Sequence, residues 1–109
     1  MKRGAIWTAA GGPDYISKPR PVVIVQADEF SSLDSITVCP FTRDAGDWPL
    51  FRLVIEPAKE NGLAATSRLM VDKITTLPKT KLGRRIGALS RVDMIRLERA
   101  AVVFLGLGG

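Results

Sequence analysis

No histidine occurs anywhere in the 109 residues, and there is a single cysteine, Cys39. Without histidine the commonest general base and metal ligand is gone. Together the two shortages exclude a zinc or haem site of the usual kind, and one cysteine cannot build a disulfide framework. Long hydrophobic runs are missing too. The longest purely apolar stretch is Ala100–Leu105, far short of the roughly 20 residues that span a bilayer. The N-terminus "MKRGAIWTAAGGPD" reaches glycine and proline before an apolar segment forms, so no secretory leader is expected and a cytoplasmic location follows. Neither a phosphate-binding GxxxxGK[ST] loop nor GxGxxG is present, which argues against a nucleotide cofactor. No other cofactor is indicated.

What is present describes a folding chain. Hydrophobic residues make up 46% and charged residues 25%, which suits one hydrophobic core and a single domain over residues 1–109. The formal net charge is +5 and it is unevenly spread. Residues 1–65 carry 7 Lys/Arg against 8 Asp/Glu, whereas residues 66–99 carry 9 against 3. Clustered positive charge suits a polyanionic partner, because neutralised phosphates release counterions. It equally suits a solubilising surface.

Along the chain, "RGAIWTA" (residues 3–9) reads as a first strand and residues 11–21 as a Gly/Pro-rich loop. "PVVIVQA" reads as a strand buried on both faces, since consecutive branched residues leave no solvent side. A helical turn is expected over "DEFSSLD", then a third strand over residues 35–42 in which Cys39 is a small buried hydrophobe. Residues 50–57 form a fourth strand, followed by a turn in which Asn61 and Gly62 take left-handed angles. "TSRLMVDKITTL" supplies a fifth strand, broken near Asp72, and "PKTKLGRRIGAL" a turn and a short last strand. Ser90 and Asp93, in capping-box spacing, open a helix over residues 91–105 that Gly106 stops. Met94, Leu97, Ala101, Phe104 and Leu105 share one helical face and pack on the sheet or a partner. The order, strands first and one helix last, implies a strongly bent antiparallel sheet with a terminal helix.

Two residues stand out chemically. Arg20 opens the buried strand between Pro19 and Pro21, which restrict its backbone and preorganise a planar guanidinium for a phosphate. Thr42 ends the next strand, and its hydroxyl faces the same end if the two strands pair antiparallel. Each also has an ordinary reading: an exposed charge at a strand start, and a residue with high β-propensity. Lys18, Arg43, Arg68 and Lys73 are either a phosphate track or solvated surface. Trp48 and Tyr15 lie in polar loops and suit stacking on splayed bases, although Trp48 suits plugging the end of the sheet as well. Trp7 belongs to the core or to a dimer interface.

The ordered set "KRGAIW", "RPVVIVQAD", "VCPFT", "GLAATSRLMVDKITTL", "KLGRRIGALS" and the terminal "LGL" resembles the MazF/PemK/Kid toxins of type II toxin–antitoxin modules over essentially the full length. The resemblance implies an SH3-like barrel with a C-terminal helix, and a homodimer. It also implies a sequence-specific, metal-independent endoribonuclease that inhibits translation by cutting single-stranded RNA, whether mRNA, rRNA or tRNA. A cognate antitoxin with an acidic, extended C-terminal segment is implied too. Carried over by position, Arg20 and Thr42 are the catalytic pair, Ser67 falls on the serine upstream of the family's acidic-Gln motif and Asp72 on its acidic residue; with Lys18, Arg43 and Arg68 from the charge reading, these two make up the expected substrate-binding set. Asp72 corresponds to the base of the Kid branch. That branch places an arginine two residues earlier, where this chain has Met70. Lys73 replaces the usual glutamine, and Ala5 the aspartate of an RGD opening. Two further readings are a CcdB-like gyrase poison of the same fold and a non-catalytic SH3-like RNA-binding module.

Overall fold

A computed structural model describes residues 1–10, 18–46, 48 and 50–108. Seven strands occur in it: β1 (Ala5–Ala9), β2 (Arg20–Ile24), β3 (Ser35–Thr42), β4 (Arg52–Ile55), β5 (Ser67–Met70), β6 (Thr75–Pro78) and β7 (Leu82–Ala88). One helix, α1 (Arg91–Phe104), closes the chain. All pairs are antiparallel, in the order β4-β5-β3-β2-β1-β7, with β6 also pairing β3. The bent sheet matches the expectation, but among the described residues β4 and β7 do not pair, so the barrel stays open.

The bend begins in β3. Its first half pairs with β6, from Ser35↔Pro78 to Val38↔Thr75, and its end pairs with β5 at Phe41↔Leu69 and Thr42↔Arg68. Pro40 falls at the handover, where no partner on that side requires an N–H. Between β5 and β6 the chain makes a single 3-10 turn, Val71–Lys73, with Asp72 in its middle. The expected break near Asp72 is therefore real.

Burying both faces of β2 requires two apolar clusters. Val23 packs with Ile6, Cys39, Leu53, Leu69 and the helix residue Leu97, whereas Val22 and Ile24 pack with Ala5, Ile36 and Val38 on the opposite face. Burial of each such side chain contributes about 1.5–3 kcal/mol, so β2 is a rigid strand held from both sides. Its first residue, Arg20, projects from that rigid base into solvent.

The helix begins as read. Ser90 Oγ accepts from the Asp93 amide at 3.1 Å, although the Asp93 carboxylate binds Arg96 rather than completing a capping box. It ends at Gly106 (φ 69°), with Leu107 donating to the Val102 carbonyl and Gly106 to that of Val103, a Schellman motif. The buried face matches the expected one at Met94 and Leu97, with Ala101 partly buried against the core, and departs from it at Ala100, which is buried, and at Phe104 and Leu105, which are largely exposed. The sheet covers only the first three turns, and Phe104 instead meets Phe51 from the β4 side (centroids 5.5 Å, 54°). Asn61 also departs from expectation, since Gly62 (φ 68°) alone is left-handed there. Asn61 is buried and ties the turn through Ala58 N–H, Leu63 N–H and the Glu56 carbonyl.

Candidate active site

Pairing of β2 with β3 places Val22 opposite Pro40. Continuing that register by one pleat sets Arg20, the first residue of β2, across from Thr42, the last of β3. The two side chains share the rim between two clefts, both of which they line. The larger, about 650 Å³, has an apolar floor of Val22, Val38 and Leu77 with Arg52, Lys73 and Lys81 at its margin. The smaller, about 430 Å³, is lined by Lys18, Arg43 and Ser67 among others. Cations thus approach the Arg20–Thr42 rim from both sides.

Thr42 Oγ1 accepts a hydrogen bond from the Asp44 amide at 3.1 Å. A hydroxyl that accepts from the backbone keeps its own hydrogen for another acceptor. Arg68, opposite Thr42 in the next strand, reaches the Asp44 carbonyl at 3.3 Å. Ser67 is buried and its hydroxyl donates to the Ala65 carbonyl at 3.0 Å. Its donor is spent inside the protein, so it offers the second cleft a wall more than a functional group.

Asp72 is placed differently from a residue that meets substrate. Its carboxylate accepts from Arg52 Nε at 2.7 Å and Nη2 at 2.9 Å, a bidentate pair, and it lines none of the described clefts. The hydrogen bonds and charge of Arg52 outweigh partial burial and hold the Asp72 carboxyl below the usual carboxylate range. Arg52 shifts correspondingly upward through the same contact. Cys39 lies nearby but is fully buried, and burial, helped by the charge of Asp72, pushes its thiol up to about 12.

Trp48 stands 56% exposed, backed by Phe51 (centroids 5.8 Å, 22°), beside a third cleft of about 210 Å³ that Arg52, Arg68 and Arg96 also line. Trp48 therefore lies at the surface and does not plug the end of the sheet. Trp7 is half-buried against the cluster around Val22 and Ile24. Tyr15 lies outside the described residues. The residues that sequence reasoning missed are Arg52 and Asp44. Arg52 had one available signal, a lone charge on an otherwise apolar strand; Asp44 had none beyond a polar loop.

Taken together, fold and site define a small bent-sheet protein whose basic clefts meet at an Arg/Thr rim. The family model for the PemK-like, MazF-like toxins of type II toxin–antitoxin systems matches residues 2–105. The chain is 50% identical to the probable endoribonuclease MazF of Mycolicibacterium smegmatis (strain ATCC 700084 / mc(2)155), over 109 residues and the whole of both chains. The solved Mycobacterium tuberculosis toxin MazF-mt6 superposes with a TM-score of 0.79 at 26% identity, over 94% of this chain and 96% of that one. A mycobacterial endoribonuclease in complex with its cognate antitoxin shares the fold (TM-score 0.81, 21% identity, 98% and 96% covered). This chain belongs to the PemK/MazF family of toxins.

Proposed function

We propose that the protein is a sequence-specific, metal-independent endoribonuclease that cuts single-stranded RNA at the Arg20–Thr42 rim. The observation that carries this reading is the meeting of a proline-flanked guanidinium and a hydroxyl with an available hydrogen between two basic clefts. A strand crossing the rim puts its scissile phosphate on Arg20 and Thr42 and its flanking nucleotides in the clefts. The ribose 2′-oxygen attacks phosphorus, the bond to the 5′-oxygen breaks, and the products are a 2′,3′-cyclic phosphate and a 5′-hydroxyl. Arg20 stabilises the negative charge that builds on the non-bridging oxygens, and Thr42 fixes the phosphate by donating to one of them. Lys18, Arg43 and Arg68 hold the flanking phosphates.

Cleavage of mRNA, rRNA or tRNA in this way inhibits translation in the cytoplasm. The cognate antitoxin covers the same basic clefts with an acidic, extended C-terminal segment, and the toxin works as a homodimer. The relative named as a probable endoribonuclease supports this over the other two readings. Purified protein should cut single-stranded RNA in EDTA. Arg20→Ala should abolish cutting while leaving the protein folded, and Arg20→Lys should be nearly as damaging because the bidentate fork is lost. Intact RNA across diverse sequences would overturn the proposal. Gyrase-dependent DNA breaks would point to the CcdB-like reading, and salt-sensitive binding without cleavage to a plain RNA-binding module.

A further inference from the structure

We propose that two carboxylates divide the work at this site: Asp44 accepts the 2′-hydroxyl proton, and Asp72 serves as the clamp that aims Arg52 into the cleft. The inference rests on the reading of the Arg20–Thr42 rim as an RNA-cleaving centre and adds its proton acceptor and a second guanidinium.

A general base needs an oxygen that is both within reach of the reacting atoms and not already occupied. Asp72 fails on both counts, since Arg52 engages its two oxygens and it lines none of the described clefts. A carboxylate held in its charged form by an arginine is also a weaker proton acceptor. Asp44 differs from it on both counts. It is the one carboxylate that lines any of these clefts among the described residues. Three contacts fix it: its amide donates to Thr42 Oγ1 at 3.1 Å, its carbonyl accepts from Arg68 at 3.3 Å, and its Oδ1 accepts from the Gly46 amide at 3.1 Å. Oδ2 has no partner among the described residues. The proton acceptor is thereby tied through the backbone to the hydroxyl that fixes the phosphate.

Arg52 completes the arrangement. It sits directly opposite Met70 in the β4–β5 register, so a guanidinium reaches this part of the cleft from the neighbouring strand. With Nε and Nη2 committed to Asp72, its Nη1 edge is the one left for a phosphate oxygen. The charged groups that line this cleft with Asp44 are Arg20 from β2, Arg52 from β4, Lys73 from the turn after β5 and Lys81 from the turn before β7, and Arg68 from β5 reaches the Asp44 carbonyl. As the bond from O2′ to phosphorus forms, the 2′-hydroxyl proton passes to Asp44 Oδ2. As the bond to O5′ breaks, solvent water protonates the leaving oxygen and Asp44 returns its proton to solvent.

The test is cleavage of a single-stranded oligoribonucleotide in EDTA, with kcat and KM measured across pH for folded Asp44→Asn, Asp44→Glu, Asp72→Asn, Arg52→Lys and the Arg52→Lys/Asp72→Asn double variant. Asp44→Asn should lower kcat by about 100-fold or more, leave KM nearly unchanged and lose the acid-side rise of rate with pH. Asp44→Glu should recover part of the rate and that rise. Asp72→Asn and Arg52→Lys should each cost about 10-fold in kcat, keep the acid-side rise, and cost no more together than singly, as members of one unit do. A flat acid side in Asp72→Asn, or Asp44→Asn within threefold of the parent, would overturn the inference. Wild-type cleavage by Arg20→Ala would instead overturn the site reading on which it rests.

Discussion

Replacing Asp72 by asparagine should destabilise the fold by about 1–3 kcal/mol at neutral pH, and this deficit should vanish in acid. The magnitude follows from geometry. Arg52 and Asp72 make two charge-assisted hydrogen bonds, 2.7 and 2.9 Å, with their side chains only 15% and 20% exposed. Exposed ion pairs contribute about 0–1 kcal/mol, and breaking a fully buried one costs about 3–5 kcal/mol; a half-sheltered bidentate pair falls between. Asparagine keeps one acceptor but turns an N–H toward an Arg52 N–H, so one bond is lost and a guanidinium remains half-buried without its counter-charge. For a chain of this size each kcal/mol corresponds to a Tm about 4–8 °C lower. The pH dependence has a definite sign. Arg52 lowers the folded-state pKa of Asp72, so the stabilisation is fully present above the unfolded value of about 3.9 and is lost as pH falls through the lowered folded value. Denaturant unfolding of both proteins from pH 7 downward, at low and high salt, reads this directly. A stability gap that stays constant into acid would show that the cost is steric, and the ionic argument would fail.

Two further outcomes follow from packing. The Cys39 thiol, pushed up to about 12 by burial, is ionised to about one part in ten thousand at pH 8, so thiol-reagent labelling should track global unfolding; fast labelling of folded protein would contradict the burial. Gly62→Ala should cost at least about 2 kcal/mol, because φ is +68° and the new methyl would collide with the Ile86 carbonyl; an unchanged denaturation midpoint would show that the turn does not dock on β7 as described.

Much of the fold was legible because its signals are local. The branched run after Pro21 read as a doubly buried strand, and it is one, because consecutive Val and Ile leave no polar face whatever the neighbours are. Ser90 and Gly106 marked the helix limits through backbone chemistry confined to a turn or two. The helix face read only in part. Spacing placed Met94, Leu97 and Ala101 against the core, where they are, but also Phe104 and Leu105, which are exposed, and it left out the buried Ala100, because which arc is covered depends on where the sheet stops.

The same division runs through the site. By itself the sequence determined a histidine-free, basic, strand-rich chain, with Arg20 at the start of one strand and Thr42 at the end of the next, since strand ends follow from pattern; their meeting depends on the antiparallel pairing of β2 with β3. Only the tertiary structure decided what surrounds them. Arg52 and Asp72 are 20 positions apart and meet because the chain turns sharply after β5, and that contact withdraws Asp72 from the clefts. Asp44 gains its place because its amide is tied to Thr42 and its carbonyl to Arg68 from another strand. Charge and strand order are properties of the chain; which oxygen is occupied and which faces a cleft depends on contacts that sequence separation does not encode.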